Sequence, residues 1–204
     1  GATEANNLAL LGHARAKAEQ IGRPGHIITL STEHLAVLDP LRQLRREGFR
    51  LTEVQPGPNG LINKNQIADA FQEDTFLASV MIANNEIGVI QPIKEIAKLC
   101  KERGVVLHSD AAQAFGHIPF EPNHIGIDLI SLSGHKIYGP KGIGALVLSP
   151  EIAITPLQWG GGQELGLRAG TPPVPLIVGM AKAAELAMKG LLERSEKLRS
   201  LRDQ

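Results

Sequence analysis

Ser131-Leu-Ser-Gly-His-Lys136, read together with Asp110-Ala-Ala-Gln113, decides the fold class of this chain. Each motif closes a short apolar run, Asp128-Leu-Ile-Ser131 in one case and Val105-Val-Leu107 in the other. Short apolar runs of this kind read as buried strands, so both motifs place polar side chains at a strand end. In an open α/β sheet, ligands bind outside the carboxyl ends of the strands. A carboxylate, a lysine and a hydroxyl/imidazole pair meeting there suit a ligand with a ring nitrogen, an aldehyde and a phosphate.

Working outward, strand and helix patterns alternate. Helix is expected over Thr3–Gln20, with Thr3 or Gly1 as its cap, over Leu35–Glu47 with Gly48 as its stop, over Ile62–Phe71 and over Pro92–Arg103. Strands are expected at His26–Leu30, Phe49–Val54, Phe76–Ala83, Val105–His108, Asp128–Ser131 and Ala145–Leu148. Pro56-Gly-Pro-Asn-Gly60 is a turn-rich connection, and Pro175–Leu201 reads as one long Ala/Leu-rich helix. Strands alternating with helices of this length imply βαβ units and a mostly parallel sheet flanked by helices. A composition shift at Trp159-Gly-Gly-Gly162 divides the chain into a sheet domain, residues 1–158, and a glycine-rich loop with a long helix, residues 159–204.

Four strand ends deliver polar groups: Glu33-His34, Asn84-Asn85-Glu86, then His108, Asp110 and Gln113, then Ser133, His135 and Lys136. If these strands are parallel, right-handed crossovers bring all four sets to one edge. Taken singly, each has an ordinary reading. A lysine is usually a solvated charge, Asp110 could cap a helix at Ala111, and Asn84-Asn85 fits any turn. Gly139-Pro-Lys-Gly142 is a loop that lacks the Gly-Lys-Ser/Thr ending of a Walker phosphate loop. Together they point to pyridoxal phosphate, which needs a lysine for its Schiff base and an acid for its ring nitrogen. Cys100 shares one helical face with Ile93, Ile96 and Ala97, and reads as a small core hydrophobe rather than a nucleophile.

Composition narrows the classes further. Hydrophobic residues make up 43% of the 204 residues, and 21 Lys+Arg balance 21 Asp+Glu. Nucleic acid or an anionic membrane as main partner demands a basic excess that is missing. No apolar run reaches the roughly 20 residues of a bilayer span, and the start of the chain lacks a signal-peptide pattern. A single cysteine excludes an internal disulfide and a zinc-type cysteine spacing, so no metal site is expected. The expectation is a cytoplasmic α/β protein. A helical pattern without a preceding strand, and the absence of an initiator Met, suggest a piece of a longer chain.

Six blocks carry a resemblance: Gly1-Ala-Thr-Glu-Ala-Asn-Asn7, Glu33-His34, Asn84-Asn-Glu-Ile-Gly88, His108-Ser-Asp-Ala-Ala-Gln113, Ser133-Gly-His-Lys-Ile-Tyr-Gly-Pro-Lys-Gly-Ile-Gly144, and Gly160-Gly-Gly-Gln-Glu164 through Arg168-Ala-Gly-Thr171. On these the chain resembles the cysteine desulfurases of the nitrogen-fixation and iron–sulfur-assembly type, a branch of the class V aminotransferases. The resemblance implies the large domain of the fold-type I pyridoxal-phosphate transferases. It implies that Lys136 forms the Schiff base and acts as a base once freed, and that Asp110 pairs with the ring nitrogen. Gln113 and Asn85 would bond the phenolic-oxygen side of the ring, and His34 would stack on its face and shuttle protons. Ala2, Thr3, Ser133 and His135 would hold the phosphate, the first two from a helix N-terminus that favours anions. Thr171 would reach the phosphate of the neighbouring subunit in a homodimer.

The implied chemistry takes sulfur from L-cysteine, gives L-alanine, leaves a persulfide on a protein cysteine, and hands the sulfur to an acceptor or iron–sulfur scaffold protein. The resemblance implies that the nucleophilic cysteine and the arginine that grips the substrate carboxylate lie in a domain beyond Gln204; Cys100 matches that cysteine neither in position nor in surroundings. Only the central cofactor-binding region is therefore expected here, and this chain alone should not desulfurate cysteine. A selenocysteine lyase or a carbon–sulfur lyase would share the Lys136 machinery. A non-catalytic piece that folds or dimerises without cofactor is the rival from another class.

Overall fold

A computed structural model describes residues 1–204, the side chains of Pro122 and Asn123 excepted. Helix α1 (Ala2–Asn7) runs through a π-helical turn (Leu8–Gly12) into α2 (His13–Ile21). There follow β1 (His26–Leu30), α3 (Leu35–Arg46), β2 (Arg50–Val54), α4 (Lys64–Ala70) and β3 (Thr75–Ser79). Next come α5 (Ile93–Arg103), β4 (Val106–Asp110), a short α6 (Pro122–Ile125), β5 (Leu129–Ser133) and β6 (Gly144–Leu148). Helices α7 (Val174–Met188) and α8 (Leu191–Arg202) close the chain.

The strands form one six-stranded sheet in the order β2-β1-β3-β4-β5-β6. Every pairing is parallel except β5 with β6, which is antiparallel. The expected mostly parallel α/β sheet is therefore present. Its inner strands are buried on both faces, as in a parallel sheet covered by helices. Ile27 and Leu77 pack with Leu10, Ala14, Leu41 and Leu44 on one face. Their neighbours Ile28 and Ala78 pack with Ile67, Ile96 and Ala97 on the other. Each fully buried Ile or Leu contributes about 1.5–3 kcal/mol through removal from water, so this pair of cores holds the sheet between its helices.

Three predicted elements differ from the observed ones. The single helix over Thr3–Gln20 contains a π turn, where the Gly12 carbonyl accepts Thr155 N–H at 3.0 Å. A bonded loop thus engages a carbonyl at the turn where the helical repeat is widened. The strand expected over Phe76–Ala83 stops at Ser79. Val80 N–H still bonds the His108 carbonyl, but Met81 N–H goes to the Glu33 carboxyl at 2.6 Å and leaves the ladder. The helix expected over Pro175–Leu201 is broken between Met188 and Leu191. Gly190 sits there at φ 74°, a left-handed conformation that glycine adopts without steric penalty.

Candidate functional site

Parallel pairing puts the ends of β1, β3, β4 and β5 on one edge, and the sequence-predicted groups follow them there. Asp110 is the last residue of β4, in register with Ser131 of β5, and is 6% exposed. Its Oδ1 accepts Ala112 N–H at 2.9 Å and its Oδ2 accepts Asn6 Nδ2–H at 2.7 Å. The capping reading and the site reading of Asp110 are thus compatible. The side chain bonds the turn after β4, while a carboxylate has about four acceptor positions and retains capacity for a further donor.

Beside it, β5 ends at Ser133, whose hydroxyl shares a 3.1 Å hydrogen bond with His135 Nδ1. The chain then makes a single 3-10 turn, Gly134–Ile137, which presents His135 and Lys136 to solvent. Several hydrogen bonds hold that turn. His117 Nε2–H donates to the Lys136 carbonyl at 2.8 Å, and Gly139 N–H donates to the Gly134 carbonyl at 2.9 Å. Tyr138 ends the turn at φ 63° while 94% exposed. A non-glycine residue in the left-handed region is uncommon, and such residues gather at functional sites.

The start of α1 reaches the same edge through close packing on β6. A Cβ added to Gly144 would lie 2.6 Å from the Gly1 carbonyl carbon and from the Leu132 carbonyl oxygen. Only glycine allows that approach. It brings Ala2 and Thr3, with the unpaired N–H groups of a helix N-terminus, alongside the end of β5. Arg168 Nε–H donates to Glu4 Oε1 at 2.8 Å, tying the glycine-rich segment to the first turn of α1. Thr171, three residues further on, is exposed and has no hydrogen bond to the other site residues.

His34 caps α3: its Nδ1 accepts Ala36 N–H at 3.0 Å, and Nε2 has no partner among the described residues. Asn85 is exposed and Gln113 half-buried, and neither side chain is hydrogen-bonded among the described residues. Asn84 instead folds its own loop, its Oδ1 accepting Glu86 N–H and Ile87 N–H at 2.9 and 3.0 Å.

Two polar groups counted at this edge belong to the interior. His108 lies two residues inside the end of β4 and is fully buried. Its Nδ1 bonds the Ser79 hydroxyl at 2.8 Å and its Nε2 the Ser131 hydroxyl at 3.0 Å. Burial pushes this imidazole down to about 3, so it stays neutral and laces β3, β4 and β5 together. Glu33 is also buried, and its carboxyl is held well above the usual carboxylate range by burial, with the negative charge of Asp110 adding to the effect and Met81 N–H opposing it. Cys100 sits in the core beside Ile96 and Ala97, and burial pushes its thiol up to about 12. The core reading of Cys100 holds.

Sequence reasoning missed Asn6, the side-chain partner of Asp110. Its signal was present in the Gly1–Asn7 block, but only the folded helix shows which of the two asparagines turns inward: Asn6 is buried, whereas Asn7 bonds the Thr3 carbonyl.

The donor set fits pyridoxal phosphate. A carboxylate, an amine, a hydroxyl–imidazole pair and a helix N-terminus lie on one edge. Among the described residues, four buried polar side-chain atoms lack a hydrogen-bond partner, and two of them, Asn6 Oδ1 and Thr32 Oγ1, belong to residues at that edge, with Glu33 Oε2 next to Thr32 in the same loop.

The architecture is that of the large domain of fold-type I pyridoxal-phosphate transferases. The structure superposes on a solved NifS-like protein with a TM-score of 0.94 at 40% identity, covering 99% of this chain and 55% of that one. It superposes on DndA from Streptomyces lividans with a TM-score of 0.87 at 45% identity, covering 95% and 55%. The aminotransferase class V family matches residues 1–203, and the chain belongs to that family. Cysteine desulfurase IscS of Rickettsia massiliae (strain Mtu5) is 53% identical over 189 residues, which are 92% of this chain and 45% of that protein. The chain thus spans about half the length of the curated relatives it matches.

Proposed function

We propose that this chain binds pyridoxal phosphate at the carboxyl edge of the sheet, and that the whole protein it corresponds to is a cysteine desulfurase. One observation carries the reading. Asp110, anchored by two N–H donors at the end of β4, stands beside the strand whose end presents Ser133, His135 and Lys136. The similarity to a cysteine desulfurase supports the choice of reaction.

The bound cofactor supplies an electron sink for bonds broken at the amino-acid substrate. Lys136 would be its covalent anchor, and its exposed amine is the group there that can take and return a proton. Asp110 accepts the ring N–H and favours the protonated ring. With Nδ1 engaged by Ala36 N–H, His34 presents its ring and Nε2 for stacking and for carrying a proton. The start of α1 at Ala2 and Thr3 binds the phosphate with Ser133 and His135. Gln113 and Asn85 contact the side of the ring that bears its phenolic oxygen. Thr171 reaches the phosphate held by a second copy of the chain, so a homodimer completes the site.

L-cysteine is the substrate, alanine the product, and an acceptor or iron–sulfur scaffold protein the recipient of the sulfur, in the cytoplasm. Cys100 is not the sulfur-accepting thiol, being buried and held protonated.

Titration of the protein with pyridoxal phosphate tests the reading. A visible absorbance band from lysine-bound cofactor is expected in the native chain and absent from Lys136→Ala of unchanged circular dichroism. A folded native chain without a band, or an undiminished band in Lys136→Ala, overturns it.

A further inference from the structure

Glu33 is a buried, acidic residue that the reaction described above does not use. It lies in the loop between β1 and α3, immediately before His34, and is 5% exposed. Its Oε1 accepts the N–H of Met81 at 2.6 Å, the first amide of β3's extension to leave the sheet. Among the described residues its Oε2 is buried without a partner, as is the hydroxyl of the preceding Thr32. A second bond runs in parallel across the same gap, from Asn84 Nδ2–H to the Thr32 carbonyl at 3.0 Å. The loop that carries His34 is therefore stitched to the exit of β3 at two points, and Glu33 supplies the buried one.

We propose that Glu33 is a positioning residue of the cofactor site, its carboxyl locking the His34 loop to the exit of β3 through Met81 N–H. The inference rests on the cofactor reading above for its consequence, but the lock itself is a property of the chain.

The chemistry of the group suits that task. An ionised carboxylate this deep, with one oxygen unpartnered, would carry a heavy desolvation cost and would repel Asp110. Burial and the Asp110 charge both favour the protonated form. The protonated form keeps Oε1 as acceptor for Met81 N–H and turns the other oxygen into a hydroxyl donor. It also removes the charge repulsion between Glu33 and Asp110. Glutamine has the same shape and the same acceptor and donor pair, so it should replace Glu33. Alanine removes the acceptor and strands a buried N–H.

Hydrogen–deuterium exchange read by mass spectrometry on the cofactor-free chain tests the lock. Glu33→Ala should speed exchange in peptides spanning residues 31–36 and 80–84 by about tenfold, the equivalent of one net hydrogen bond, and Glu33→Gln by no more than about twofold. Titration with pyridoxal phosphate tests the consequence, with a Kd about tenfold weaker in Glu33→Ala and close to native in Glu33→Gln. Unchanged exchange in Glu33→Ala, or a Glu33→Gln variant as loose as Glu33→Ala, overturns the proposal. A native chain that shows the lock by exchange but no Lys136-dependent band sinks the cofactor reading and leaves the lock standing. A native band with an unweakened Kd in Glu33→Ala sinks the positioning role alone.

Discussion

His108 and Asp110 stand two residues apart on β4 with their side chains on the same face, yet they belong to different regions of the molecule. His108 is in the interior of the sheet, where Ser79 and Ser131 on the flanking strands use both of its ring nitrogens. Asp110 is at the carboxyl edge, where Asn6 and Ala112 hold its oxygens while leaving lone-pair capacity. One step of the pleat separates a closed hydrogen-bond set from an open one. A polar group deep in a sheet must be fully partnered by its own chain, whereas one at the edge can await a ligand. Glu33 and His34 repeat the contrast in adjacent positions, the first buried on Met81 N–H and the second exposed.

The sharpest way to break this comparison is to exchange the costs. His108→Ala should lower unfolding free energy by about 3–5 kcal/mol, because it opens a core cavity and strands two serine hydroxyls. Asp110→Asn should cost far less stability and instead weaken cofactor binding. Urea unfolding beside cofactor titration decides it, and equal stability losses would erase the distinction between interior and edge.

Acidity offers the next test. The folded His108 titrates near 3, and the unfolded chain near the ordinary 6.5. Between these values the unfolded state binds a proton that the native state refuses. The contribution of His108 is therefore complete above about 6.5 and is lost as pH falls toward 3, with a slope of about 1.4 kcal/mol per pH unit. Glu33 has the opposite sign, since its folded value is raised. Its contribution is full below the ordinary glutamate value and is lost as pH rises toward and through the raised one. Urea midpoints across pH 4–8 should lose the acid-side slope in His108→Gln and the alkaline-side slope in Glu33→Gln.

Smaller effects sharpen the picture of the edge. Asn6→Ala should cost about 1–2 kcal/mol of stability, since Asp110 Oδ2 loses a buried donor, and should weaken pyridoxal phosphate as well. Asn7→Ala, whose side chain bonds the exposed Thr3 carbonyl, is the matched control. The smallest change is expected at Cys100. Iodoacetamide at pH 8 should leave it unlabelled in the native chain and modify it in urea, because the buried thiol stays protonated. Labelling of the native chain at the rate of a free thiol would contradict its place in the core.

Much of this was legible from periodicity. Apolar runs such as His26–Leu30 and Leu129–Ser133 have few other ways to be buried, and the helices between them are amphipathic, so the parallel sheet follows. The motif Ser133-Gly-His-Lys136 falls on a strand end for the same reason. Boundaries were harder. The strand expected through Ala83 ended at Ser79 because the Glu33 carboxyl takes an amide that the ladder would otherwise use, a contact across 48 positions in sequence. The break at Gly190 was visible as a glycine but hidden by the Ala/Leu content on its N-terminal side.

Residue types, their order and their spacing were enough to establish an α/β sheet whose strand ends carry Asp110 and Lys136. Burial settled the rest. Whether a histidine is a rung of the sheet or a group at its edge, which of two neighbouring asparagines reaches Asp110, and whether Glu33 faces water or the core all depend on a register between strands far apart in sequence. Local pattern sets the alternation of side chains along each strand. Only the packing of strands against one another sets how deep each side chain lies, and depth determines which polar groups are closed off and which remain available to a ligand.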